Sequence, residues 1–149
     1  MKIEQRCTVP VAREPLWRFL MDVPAMAGCV PGVEKVEPRG DNRYEGRMKV
    51  RVGPIALTLD GAMAVREQDD AGYRAAVDAE ANDRRVGGGV HVNAQMSLRE
   101  LAPGETELVV TTDARLLGKL GEFGQPVIRK KADTMMAEFA RNVAARFRE

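Results

Sequence analysis

Few side chains in this sequence have the type and spacing that chemistry demands. Its single histidine, His91, and its two cysteines, Cys7 and Cys29, lie far apart along the chain. They make no cluster at metal-ligand spacing, so no metal is expected. Cys29 as a nucleophile would need a base to take its proton, and nothing in the sequence places His91 beside it; it reads as a buried, unreactive thiol. Gly87–Gly88–Gly89 lacks the Gly-Lys-Ser/Thr ending of a phosphate-cradling loop and leads into a strand, so it reads as a flexible hairpin. Asp69–Asp70 and the pair Glu80 and Asp83 fall at expected turns, where acidic residues are ordinary. Asp60 would act as a general acid or base only inside a cavity that raised its pKa. Its alternation opposes Leu57, Leu59 and Met63, which turns it to solvent. No catalytic residue is expected.

Charge narrows the partners. The 149 residues carry 23 basic and 22 acidic side chains, a formal net charge of +1. A dedicated nucleic-acid binder would show a large basic excess, so that class is set aside. Basic residues gather late in the chain: Arg129, Lys130 and Lys131, with Arg141, Arg146 and Arg148 beyond them. A solvated helix face accounts for them, and so does contact with anionic lipid or an acidic partner. No apolar run reaches the roughly 18–20 residues that span a bilayer, and the start, MKIEQRC, has no signal-peptide core. Two cysteines are no disulfide framework and would stay reduced in a cytosol. The expectation is a soluble cytoplasmic protein forming one domain over residues 1–149, a length usual for a single domain.

The elements that must position any site follow from periodicity. Met1 to Val9 alternates, with Ile3, Gln5, Cys7 and Val9 on one side, and Pro10 ends the strand. Ala12 to Met21 makes a short helix with Pro15 in its first turn, and Pro24 to Cys29 adds one more helical turn. A β region follows: Val33 to Glu37, Arg43 to Val52, Ile55 to Arg66, Tyr73 to Glu80, Val90 to Leu98 and Leu108 to Ala114, separated by turns such as Gly53–Pro54, Asp70 to Gly72, Asn82 to Arg85 and Pro103–Gly104. From Gly118 to Phe147 the pattern becomes helical. Ile128, Ala132, Met135, Met136, Phe139 and Val143 fill one arc, opposite Lys130, Asp133, Glu138 and Arg141. Leu120, Phe123 and Val127 lie on a rotated face, and Gly124 with Pro126 places a break between the two.

These elements predict an α+β fold: a curved antiparallel sheet of about seven strands around a long C-terminal helix, with two short helices after the first strand. At about 1.5 Å per residue the helix matches a ten-residue strand in length. The inward side chains Gly61, Ala75, Ala79, Ala94, Met48, Met63 and Met96 are small or flexible, and such a lining predicts an apolar cavity between sheet and helix. A packed core remains the alternative. If the cavity exists, the break near Gly124–Pro126 marks where its wall opens, with Phe123 and Val127 as the gate.

The order of elements resembles the START-like helix-grip superfamily, also called SRPBCC. Within it, the words LWRFLMD, CVPGVEKVE, YEGRMKVRVGPI and GKLGEFGQPVIRKKADTMMAEF are similar to those of the carbon monoxide dehydrogenase G-subunit family, over almost the whole chain. That resemblance implies a non-catalytic accessory to a molybdenum hydroxylase of the carbon monoxide dehydrogenase type. It implies a lipophilic ligand such as a quinone in the helix-grip cavity, no covalent cofactor, and recruitment to the inner face of the membrane as a peripheral protein. Many members continue past the long helix into an amphipathic membrane-binding tail, whereas this sequence ends at Glu149; ligand binding is therefore the firmer implication. The expected cavity lining is Trp17, Leu20, Met26, Cys29, Met48, Leu59, Met63, Met96, Phe123, Val127, Met135 and Phe139. Arg129, Lys130 and Lys131 are the expected contact with a partner or membrane. A polyketide cyclase/aromatase-like enzyme, with Thr112 and Tyr44 as the inward polar groups, and an assembly factor with a filled core are the other readings.

Overall fold

The computed structural model describes residues 1–148. Strand β1 (Lys2–Val9) leads into helices α1 (Arg13–Met21) and α2 (Val23–Ala27). Strands β2 (Val33–Pro38), β3 (Arg43–Val52), β4 (Ile55–Asp69), β5 (Arg74–Asp83), β6 (Gly88–Ala102) and β7 (Glu105–Gly118) follow. A 3-10 turn (Lys119–Glu122) precedes helix α3 (Gln125–Phe147). The seven strands form one antiparallel sheet in the order β1-β7-β6-β5-β4-β3-β2. The meander brings β1 back beside the last strand, Ile3 opposite Thr112 and Cys7 opposite Leu108.

The break expected at Gly124–Pro126 is present. Gly124 is the extended N-cap of α3, and Pro126 occupies its first turn, where the missing N–H costs nothing. Alternation also holds along β3: Tyr44, Met48 and Val50 are half-buried and Val52 is buried, while Arg43, Glu45, Arg47 and Lys49 are exposed. Two small residues, Gly46 and Gly61, face each other across β3 and β4, with Ala81 next in line on β5. A Cβ on Gly61 would overlap the Glu80 carbonyl oxygen, so the strands crowd together where these side chains are missing. Bulges in β4 after Val65 and in β6 after Glu100 add local bending.

The expected turn Asn82 to Arg85 is corrected. Asn82 and Asp83 belong to β5, and the Asp83 side chain is buried. Its carboxylate accepts from the backbone N–H of Thr58 at 2.8 Å, Arg85 at 2.9 Å and Val86 at 3.1 Å. It thereby closes the β5–β6 turn and ties it to β4. These donors, Thr58 first, hold the carboxyl below the ordinary carboxylate range.

The core is split in two. One cluster gathers Val9, Leu16, Trp17, Leu20, Leu98 and Leu108 around the C-terminal half of α3, where Val143 is fully buried. The other joins Val52, Leu57, Leu59 and Leu120, with Phe123 and Ile128 packed beside them. Helix α3 is thus held at both ends, and its backbone comes closest to β1 and β3. Between the clusters the inner-face residues Val77, Ala79, Val92 and Ala94 of the middle strands are only half-buried. Ala132, Met135, Met136 and Phe139 on the facing side of α3 are half-buried as well.

Candidate functional site

Two apolar recesses open in that gap. The first, of about 350 Å³, lies between α3 (Ala132, Met135, Met136, Phe139), the strands β6 and β7 (Met96, Leu108, Val110) and the segment holding Leu20, Met26, Val30 and Pro31. Among the described residues, its one hydrogen-bonding side chain is Gln5 of β1, whose Nε2 donates to Asp133 Oδ1 at 3.0 Å. The second, of about 230 Å³, lies under α2 against the inner face of β3, β4 and β5. Met48, Leu59, Met63, Ala79 and Ala81 form its floor, and Tyr44 stands at its side.

Eight of the twelve expected lining residues face these recesses: Leu20, Met26, Met48, Leu59, Met63, Met96, Met135 and Phe139. The other four lie elsewhere. Trp17 is buried in the first core cluster, where its indole N–H donates to Asp70 Oδ1 at 2.9 Å and its ring meets Tyr73 edge to face. Cys29 is buried in the same cluster, and its carbonyl accepts from Asn142 Nδ2 at 3.0 Å. Phe123 packs in the second cluster, against Gly53. Val127 is 43% exposed on the first turn of α3 and lines neither recess, because the break at Gly124 rotates it away from the helix's apolar arc. The expected gate at Phe123 and Val127 therefore does not border either recess.

Gln5, Val30 and Met136 line the first recess without belonging to the expected set. Gln5 shares the parity of Ile3 and Cys7, which is the signal that could have found it, and Met136 sits on the apolar arc of α3. Arg129 and Lys130 are exposed, and Lys131 is half-buried.

The groups of reactive type are occupied or displaced. Asp60 is exposed on the outer face and accepts from Arg47 Nε at 2.8 Å. Asp69 accepts from the Gly72 N–H and from Arg74, and Asp70 from Gln68 and Trp17; both carboxyls are held low by these donors. His91 lies exposed on the outer face, 3.6 Å from Glu80. Burial pushes both thiols up, Cys7 with help from Glu107, and Cys7 Sγ contacts Met136 Sδ at 3.8 Å. Such thiols stay protonated at neutral pH and make poor nucleophiles. Among the described residues, no group of three or more His, Cys, Asp or Glu side chains is placed to hold a metal. No described helix is long and apolar enough to cross a membrane.

Comparison with solved structures places this architecture. A conserved protein of Geobacillus kaustophilus superposes with a TM-score of 0.88 at 18% identity, covering 98% of this chain and 94% of that one. A START superfamily protein of Mycobacterium smegmatis gives 0.66 at 15% identity over 97% of this chain and 95% of its own. The Zhui aromatase/cyclase of a Streptomyces species gives 0.61 at 21% identity over 97% and 89%. At these identities the likeness establishes the fold, which is the START-like helix grip. No curated protein matches the sequence. Residues 6–147, however, match the family described as the G subunit of carbon monoxide dehydrogenase, CoxG. The chain belongs to that family.

Proposed function

We propose that this protein is a non-catalytic accessory that carries a lipophilic small molecule, with a quinone as the favoured ligand, for a molybdenum hydroxylase of the carbon monoxide dehydrogenase type. The observation that carries the reading is the gap between the two core clusters. Beside α3 the recess is lined by aliphatic, thioether and phenyl side chains, with Gln5 as its polar group among the described residues. The second has an aliphatic and thioether floor, with Tyr44 and charged side chains around it. Covering such surface favours an apolar ligand by roughly 25 cal/mol per Å² removed from water. Family membership supports the hydroxylase as partner. The exposed Arg129 and Lys130, beside Lys131 and the exposed Val127, support a peripheral contact with anionic lipid at the cytoplasmic face.

Organic extraction of purified protein followed by mass spectrometry, together with calorimetric titration of quinone analogues, tests the reading. A co-purified or saturably bound lipophile is expected. Absence of both overturns it. Pull-down of a hydroxylase with no ligand bound would instead point to an assembly factor.

The aromatase/cyclase among the structural neighbours motivates a second reading, in which the same gap orients a reactive chain. It needs an acid–base pair aimed inward. The polar side chains bordering the recesses are Gln5, already bonded to Asp133, and Tyr44, with the charged Lys35, Glu45, Arg47 and Glu80 on the outward-facing positions around the second. Thr112 borders neither. This distribution favours carriage over catalysis.

A further inference from the structure

The two recesses have two residues in common, Met26 and Val30. No strand residue is shared, so the wall between them is built by α2 and the loop behind it. Taken singly, about 230 Å³ falls below the roughly 300–1,000 Å³ of ligand sites, and about 350 Å³ lies at the lower limit. Joined, they would fall within it.

We propose that Met26 is a movable partition and that the ligand is an elongated lipophile whose apolar chain passes from one recess into the other when Met26 swings aside. This rests on the carrier reading and specifies which residue measures ligand length. The backbone around the partition is fixed. Asp22 caps α2 through the Ala25 N–H, and Val23 and Ala27 are buried on either side of Met26. Asn142 of α3 grips the Cys29 carbonyl, and Gly32 lies so close to the Lys49 carbonyl that no side chain fits there.

Motion is thereby left to side chains. Val30 is β-branched and stiff at χ1, whereas Met26 is unbranched and half-buried, with several torsions free to rotate. The surfaces on both sides of it accept a chain of methylenes: Met135, Met136 and Phe139 beyond it toward α3, and Met48, Leu59 and Met63 toward the sheet.

The test is calorimetric and stopped-flow binding of hexyl-, decyl- and tetradecyl-benzoquinone to the wild type, Met26→Trp and Met26→Ala, with circular dichroism to establish folding. In the wild type each methylene that finds cover should tighten binding about four-fold, and the gain should continue past the decyl chain. Met26→Trp should weaken the tetradecyl compound at least about ten-fold more than it weakens the hexyl one. Met26→Ala, which keeps the falsifying power should the bulky variant not fold, should speed association of the tetradecyl compound but not of the hexyl one. The same dependence on chain length in all three proteins overturns the partition and leaves the carrier reading standing. No saturable binding of any compound by the folded wild type overturns both.

Discussion

Trp17 donates its indole N–H to the carboxylate of Asp70 at 2.9 Å, joining α1 to the β4–β5 turn across 53 residues of chain. This bond explains why a large aromatic residue on the inner side of α1 lies outside the ligand gap. A buried indole needs an acceptor, and the nearest one stands at the turn rather than in the apolar recesses. Replacing Trp17 with Phe should therefore destabilise the fold by about 2 kcal/mol through lost packing and a lost hydrogen bond. Affinity for a lipophile should stay within about two-fold, because Trp17 itself borders neither recess. Urea denaturation and quinone titration of the same variant check the two halves. A large loss of affinity with unchanged stability would place Trp17 in the site after all.

That contrast separates what local pattern encodes from what docking decides. Strand parity is local, so alternation alone puts Met48, Leu59 and Met63 on the inner face. The arc of α3 likewise identifies Met135 and Phe139. Trp17 and Cys29 share the apolar character of true lining residues, and only the docking of α1 and of the loop after α2 against the rest of the molecule buries them elsewhere. Val127 lies on a rotated face by its spacing, yet the angle of that rotation depends on how Gly124 and the 3-10 turn seat Leu120 and Phe123 in the second cluster. Asp83 has the composition of a turn residue. Its role is set by Thr58, a partner on another strand, which no local pattern reveals.

Asp83 gives a pH prediction with a definite sign. Its folded-state pKa lies below the ordinary 3.8 because backbone N–H groups stabilise the carboxylate. The group therefore contributes stability that is fully present well above 3.8 and is lost as pH falls through the folded value. Asp83→Asn keeps the shape but presents an amide that accepts fewer of these bonds. The wild type should exceed the variant in stability by a constant margin near neutrality, and that margin should shrink as pH drops below 3.8. Thermal melts of both proteins across an acid series check it. A margin that widens toward acid would contradict the carboxylate's role.

The basic turn of α3 carries the membrane proposal. Near an anionic surface each Lys or Arg contributes about 1 kcal/mol, so reversing Arg129, Lys130 and Lys131 to Glu should weaken binding to anionic vesicles by at least roughly a hundred-fold. Raising the salt concentration should weaken the wild type in the same direction. The quinone affinity of the triple variant in solution should not change, since none of the three side chains borders a recess. Vesicle sedimentation over a salt series measures the first effect. No binding of the wild type to anionic vesicles at low salt would remove the proposal.

Helix α3 divides its labour along its length, and paired substitutions should separate the parts. Val143 is fully buried in the first core cluster, so Val143→Ala removes two methyl groups from a filled site and should cost about 2 kcal/mol. It borders neither recess, so ligand affinity should hold. Met135, two turns earlier, is half-buried and faces the gap. Met135→Gln should change stability by under about 1 kcal/mol, because its site is already open to water. A bound lipophile, however, would cover the new amide without offering it a partner, and affinity should fall by about ten-fold or more. Denaturation curves and quinone titrations of the two variants should therefore move in opposite combinations. If Met135→Gln instead loses stability as Val143→Ala does and binds as the wild type does, the middle of α3 is core and the gap is not where a ligand sits.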